Sequence, residues 1–135
     1  NVDAGIWWQG LQARYAGRDI AFLSGKVPAG ERLPAELFDS TADTLIENAL
    51  YKISQSGPLR ISVELSAGPR LMVCDDGSPV PPAIEEELLS SPVPSESGLG
   101  VGLFQAAKFA GQSGYALLLQ ENRQGRVCFE LKRIV

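Results

Sequence analysis

A strip of polar side chains at helical spacing lies beside the apolar stripe of the segment from Ala35 to about Ile53. At about 100° per residue, the strip contains Thr41, Thr44, Asn48 and Lys52. Asparagine is a poor helix former, so Asn48 in the middle of a long helix suggests a function. Its amide oxygen is a suitable ligand for Mg²⁺, and the ammonium group of Lys52 can neutralise phosphate oxygens. The alternative is a solvated polar face.

Asp75 stands where a short strand pattern ends and the turn Asp75-Asp76-Gly77 begins. A carboxylate at this place can accept a hydrogen bond from an exocyclic amine of a ligand. The alternative is a turn aspartate that binds its own backbone.

A glycine run, Gly98 to Gly102, precedes a helix predicted from Leu103 to about Gln112. A glycine-rich loop that opens a helix can bind phosphate, because its backbone amides approach an anion and the helix N-terminus adds partial positive charge. The run matches neither a P-loop nor a dinucleotide-binding fingerprint. The alternative is a flexible turn that allows close helix packing.

The remaining patterns alternate between helical and extended segments, which predicts one layered α/β domain over residues 1–135. Segment 78–97, which is rich in proline, serine and glutamate and has no basic residue, is expected to be mobile. The other predicted elements are a helix from Ala4 to Tyr15, strands Asp19–Leu23, Arg60–Leu65, Arg70–Cys74, Tyr115–Gln120 and Arg126–Ile134, and a short helix from Pro82 to Leu89.

Composition excludes several classes of protein. The chain has 12 basic and 16 acidic residues, a net charge of −4, and no basic cluster of the kind that binds nucleic acid. It has no histidine, which excludes Ser-His-Asp triads and imidazole metal sites in this chain. No apolar stretch approaches the roughly 18 residues of a membrane helix. Cys74 and Cys128 lie far apart in apolar runs and are predicted to be free, buried thiols in a reducing compartment.

Three motifs in this order resemble those of one protein family. Segment 45–52 (LIENALYK) is similar to the N box, segment 75–77 (DDG) to the D-x-G box, and segment 98–103 (GLGVGL) to the second glycine box of the catalytic ATP-binding domain of sensor histidine kinases, within the GHKL superfamily. The resemblance covers nearly the whole chain. It implies a two-layer α/β sandwich (the Bergerat fold), in which a mixed sheet packs on three helices.

The resemblance also implies residue roles. Asn48 would bind Mg²⁺ and would be catalytic together with Lys52, while Asp75 would bind the adenine amino group and Gly77 would keep the turn close to the base. Segment 78–97 would be the ATP lid. The full set of implied ATP-binding residues is Asn48, Tyr51, Lys52, Asp75, Gly77, Gly98, Leu99, Gly100, Val101, Gly102 and Leu103.

The implied reaction transfers the γ-phosphoryl group of Mg-ATP to a histidine on a separate dimerisation domain, normally just before residue 1. The parent protein would be a homodimer anchored in the inner membrane, with this domain in the cytoplasm and a response regulator downstream.

Three departures from the family pattern, together with the absence of basic residues from segment 78–97, predict weak or conditional nucleotide affinity. Thr44 replaces the usual asparagine or acid, Tyr51 and Lys52 are in reversed order, and Pro79 replaces a glycine. The alternatives are a non-catalytic nucleotide-binding regulatory module and an anti-sigma-type serine kinase of the same superfamily.

Overall fold

A five-stranded mixed sheet with helices packed against it forms the framework of the protein. The computed structural model describes residues 1–92 and 99–134. In chain order the elements are β1 (Val2–Asp3), α1 (Ala4–Arg14), β2 (Ile20–Ser24), β3 (Arg32–Leu33), α2 (Ala35–Ser56), β4 (Ile61–Ser66), β5 (Arg70–Asp75), α3 (Pro82–Glu85), α4 (Leu99–Gln112), β6 (Tyr115–Arg123) and β7 (Arg126–Arg133).

The strand order of the main sheet is β2-β4-β5-β7-β6. Strands β2 and β4 are parallel and are connected by a crossover that contains α2, whereas the other neighbouring strands are antiparallel. Strands β1 and β3 form a separate two-stranded ribbon, which the sequence patterns did not predict. The predicted mixed α/β sheet and its two hairpins are confirmed.

The core lies between the sheet and helices α1, α2 and α4. Helix α2 contributes Phe38, which is fully buried and makes edge-to-face ring contacts with Trp7 of α1 and Tyr115 of β6. Trp8 packs in the same way on Phe22 of β2. These aromatic contacts position α2, whose polar strip carries the candidate site residues.

The prediction of free cysteines is wrong. Cys74 of β5 and Cys128 of β7 are directly opposite each other in the antiparallel register, and they form a disulfide with an S–S distance of 2.18 Å. Both residues are buried, as expected. The two cysteines are separated by 54 positions in the sequence, so their spacing gives no sign that their strands are neighbours.

The predicted start of the last helix is also wrong. Within the described residues, helix α4 already covers Leu99–Gln112, so Gly100 and Gly102 belong to the helix and not to a preceding loop. A Cβ atom on Gly102 would lie 3.7 Å from Thr44 Cγ2, which shows how closely α4 packs on α2. This packing outweighs the low helix propensity of glycine.

The segment after β5 packs on the domain over the part that the structure describes, which ends at residue 92; the rest of the predicted lid, residues 93–97, lies outside the described residues. Its helix α3 covers only Pro82–Glu85, but Leu88 is buried in the core, where it anchors the segment to the domain. In residues 1–92 and 99–134, no helix combines the length and the apolar character needed to span a membrane.

Candidate functional site

An ion pair joins the C-terminal half of α2 to the end of β5. Lys52 Nζ lies 2.8 Å from Asp75 Oδ1 and 3.1 Å from Oδ2. The Asp75 side chain is only 6% exposed and that of Lys52 24%. Breaking this contact would leave a buried carboxylate without its charge partner, which is costly. The structure therefore places the Lys52 ammonium group at the very carboxylate that the sequence resemblance assigns to a nucleotide base.

The turn after β5 adds a second donor to the same carboxylate. The backbone N–H of Gly77 donates to Asp75 Oδ1 over 2.9 Å, so the turn interpretation of Asp75 is also correct. A Cβ on Gly77 would lie 3.0 Å from Leu59 Cδ2 and 3.1 Å from Asp75 Oδ1. Only glycine fits there without moving Leu59 or the carboxylate.

Asn48 lies one helical turn before Lys52 on α2 and is half-buried. Its side-chain amide makes no hydrogen bond within residues 1–92 and 99–134, unlike the side chains of Lys52 and Asp75. Thr44, one turn earlier, is the residue that approaches Gly102. The free amide of Asn48 is therefore close along α2 both to the start of α4 and to the ion pair.

The first turn of α4 contains Leu99, Gly100, Val101 and Gly102. The N-terminal end of a helix carries partial positive charge. Val101 is exposed at this end, whereas Leu103 is buried in the hydrophobic core. Gly98 lies outside the described residues.

Tyr51 is a half-buried residue of α2. Its backbone carbonyl accepts a hydrogen bond from the Ser54 hydroxyl. Thus the structure brings Lys52, Asp75 and Gly77 into contact, and Asn48 lies one helical turn from Lys52. It places Leu103 in the core.

Asn122 of β6 is a residue that the sequence patterns did not identify. Its side chain accepts from the Val80 N–H over 2.7 Å and donates to the Val80 carbonyl over 3.0 Å. The backbone N–H of Gly125 donates to the Gly77 carbonyl over 3.1 Å. These bonds hold the segment that follows Asp75 against the β6–β7 hairpin. Nothing in the local sequence indicates a contact across 42 positions.

A polar network holds α1 on the N-terminal half of α2. Trp7 Nε1 donates to Asp39 over 2.8 Å, and both Arg14 and the Tyr15 hydroxyl donate to Asp43, over 2.9 and 2.7 Å. Burial raises the pKa of Tyr15 above its usual value, and the hydrogen bond to Asp43 raises it further. This network is structural and sets the position of α2 on the sheet.

The oxygen ligands that the site offers suit a Mg²⁺ ion that is bound together with phosphate groups. In the described part of the chain, no group of three or more acidic or cysteine side chains could hold a metal ion by itself. Magnesium usually takes one or two protein ligands and completes its shell with water and substrate phosphates. The unpartnered amide oxygen of Asn48 fits such a ligand.

Several solved structures share this fold. The nucleotide-free catalytic domain of the histidine kinase ThkA aligns with a TM-score of 0.75 and 16% identity over 98% of this chain and 93% of its own. The mycobacterial sensor histidine kinase MprB aligns with a TM-score of 0.67 and 20% identity over 99% of both chains. ThkA in complex with the response regulator TrrA aligns with a TM-score of 0.65 and 18% identity, covering 98% of this chain and 40% of that one.

The architecture is thus an α/β sandwich in which a mixed five-stranded sheet packs against helices. More particularly, it is the fold of the catalytic domains of sensor histidine kinases such as ThkA and MprB, as the resemblance implied. No protein-family profile and no curated protein matches the sequence itself.

Proposed function

We propose that this domain binds Mg-ATP and donates its γ-phosphoryl group to a histidine on a separate dimerisation domain. The observation that carries the proposal is the unpartnered, half-buried amide of Asn48. It lies between the glycine-containing first turn of α4 and the buried Asp75, in a fold shared with histidine kinase catalytic domains. They would serve as a metal ligand, an anion-binding helix end and a hydrogen-bond acceptor for the base.

Each group has a role in this proposal. Asp75 accepts a hydrogen bond from the base, and Gly77 leaves room for the base to approach. The backbone amides of residues 98–102 bind phosphate oxygens, and Tyr51 packs at the nucleotide. Asn48 holds Mg²⁺, which would neutralise charge on the phosphates. Phosphoryl transfer depends mainly on such positioning and charge neutralisation, so these groups are chemically sufficient.

The phosphoryl acceptor must come from outside this chain, because the chain has no histidine. In the proposed reaction, the acceptor imidazole attacks the γ-phosphorus, and ADP leaves from the opposite side. We further propose that the parent protein is a membrane-anchored homodimer that passes the phosphoryl group to a response regulator. The solved complex of ThkA with TrrA supports such a partner by analogy.

A second candidate is a non-catalytic nucleotide-binding module. It is favoured by Thr44, which offers a hydroxyl where the resembled family has an amide or acid, and by the occupation of Asp75 by Lys52. Both features predict weak or conditional binding rather than efficient turnover.

Calorimetric titration of ATP into the domain, with and without Mg²⁺, tests nucleotide binding. We expect magnesium-dependent binding that Asn48→Ala weakens by about tenfold or more, which corresponds to about 1.4 kcal/mol for a lost metal ligand. Gln55→Ala is the matched control, because Gln55 is an exposed amide residue on the same helix. Absence of binding at millimolar ATP, or equal effects of the two variants, would contradict the proposal.

Phosphoryl transfer separates the two candidates. The domain is mixed with Mg-ATP labelled at the γ-phosphate and with the separately produced phosphoacceptor domain of the parent protein. Acid-labile, base-stable label on the acceptor supports the kinase. Binding without any transfer supports the non-catalytic module.

A further inference from the structure

We propose that Asn122 of β6 is a positioning residue for the candidate base site, which consists of Asp75 and Gly77. Its carboxamide orders the backbone that follows Gly77 before a nucleotide arrives. This inference rests on the proposed function, which brings a base to Asp75. It gives Asn122 a role that is exerted through the backbone of Val80 and not by contact with the nucleotide.

A β-bulge in β6 determines which face of the sheet Asn122 lies on. Before the bulge, Leu119 is opposite Phe129, and after it Asn122 is opposite Val127. Both Phe129 and Val127 belong to the hydrophobic core, so they mark the face that packs on the helices. Gln120 is the extra residue of the bulge, and it shifts the side-chain alternation by one position. Without the bulge, Asn122 would lie on the opposite face.

The same register connects Asn122 to the candidate base site. Val127 is opposite Asp75 of β5 as well as opposite Asn122, so the three residues form one row across neighbouring strands. Directly opposite residues share a face of a sheet. Two strand spacings separate Asp75 from Asn122, which is about 10 Å. The carboxamide therefore lies on the face and at the end of the sheet that carry the buried carboxylate.

The Asn122 carboxamide binds both backbone groups of Val80. Oδ1 accepts from the Val80 N–H over 2.7 Å, and Nδ2 donates to the Val80 carbonyl over 3.0 Å. Nδ2 also donates to the Glu85 carboxylate. A carboxamide offers the same donor and acceptor as a peptide group. Asn122 thus pairs with Val80 as the backbone of a further strand would, although asparagine is otherwise disfavoured in strands.

These bonds hold the far end of the turn that follows β5. At the near end, the Gly77 N–H donates to Asp75 over 2.9 Å, and the Gly77 carbonyl accepts from Gly125 over 3.1 Å. Asn122 holds the chain again at Val80, three residues later. A turn that is already ordered saves the entropy of ordering it on binding. Loss of this order in a single residue corresponds to about a tenfold loss of affinity.

Titration of two ligands into the 135-residue domain tests the inference: ADP without Mg²⁺, and ATP with Mg²⁺. We expect Asn122→Ala to weaken both by about the same factor, about tenfold, because both ligands place their base at the same turn. Asn48→Ala should weaken only the complex that contains Mg²⁺, since it removes a metal ligand. Gln120→Ala is the matched control, because it truncates an exposed amide side chain of the same strand, and it should leave both affinities unchanged.

Amide hydrogen exchange, followed by NMR on the ligand-free domain, tests the contact itself. The Val80 amide should exchange at least about tenfold faster in Asn122→Ala than in the wild type, because its acceptor is lost. It should keep its wild-type rate in Gln120→Ala. Near-UV circular dichroism of the two buried tryptophans, Trp7 and Trp8, verifies that each variant is folded.

Three results would each overturn the inference in a folded Asn122→Ala variant. They are ADP affinity within about twofold of the wild type, a loss of affinity that appears only with Mg²⁺, and a Val80 amide that keeps its wild-type exchange rate. In each case wild-type binding of Mg-ATP, and with it the proposed function, stands. If the wild type binds no adenine nucleotide, the proposed function fails and this inference fails with it. Should Asn122→Ala not fold, Asn122→Val, which favours the strand, decides in the same assays.

Discussion

Reduction of the Cys74–Cys128 disulfide should destabilise the domain without any change of sequence. The bond joins β5 to β7 and closes a long loop, with a sequence separation of 54. The chain-entropy relation for a loop of this size gives about 4 kcal/mol at 25 °C. Because measured effects often fall below this relation, we expect a loss of unfolding free energy between about 2 and 4 kcal/mol.

Urea unfolding of the oxidised and the reduced domain, followed by tryptophan fluorescence, measures this loss. With a slope of about 2 kcal/mol per molar urea, the midpoint should fall by about 1 to 2 M. A variant with both cysteines replaced by serine is the control, since its midpoint should not respond to the reductant. Two titratable thiols in the native oxidised protein, or equal midpoints in both states, would refute the reasoning.

Three further predictions concern single side chains. Gly77→Ala crowds the candidate base site, so it should cost about 1 to 3 kcal/mol in denaturant unfolding and weaken ATP binding; unchanged values would contradict the close contacts at this turn. Gly102→Ala should stabilise α4 by about 0.5 to 1 kcal/mol but weaken ATP binding, whereas Gly111→Ala, with open space around it, should stabilise α4 without any effect on binding. Tyr15→Phe removes a hydrogen bond to Asp43 and should cost about 1 kcal/mol near neutral pH. Because the folded-state pKa of Tyr15 is raised, the wild type should lose stability as the pH rises above about 10, and the variant should lose less; parallel pH profiles would argue against this assignment.

Local periodicity predicted the elements of the site, and tertiary contacts decided how its groups are used. The placement of Asn48 and Lys52 on one face of α2 follows from their spacing of four residues, and Asp75 stands at a strand end marked by a turn signal. The Lys52–Asp75 contact could not be predicted, because 23 positions separate the two residues and residue type alone assigns a lysine to phosphate. The low helix propensity of glycine predicted that Gly102 lies outside α4. In the structure Gly102 lies inside α4, because the packing of this helix against Thr44 outweighs that propensity.

The burial of Leu88 sets an equilibrium constant for opening of the segment that follows Asp75. Leu88 is 5% exposed, and exposing such a side chain costs about 1.5 to 3 kcal/mol. An open form that differs only in this contact would hold about 0.6 to 7% of the molecules. Any ligand that enters only through the open form would bind more weakly by that fraction. The burial of this one leucine therefore predicts weaker binding of such a ligand, in addition to the weak nucleotide affinity that the departures of the motifs predict.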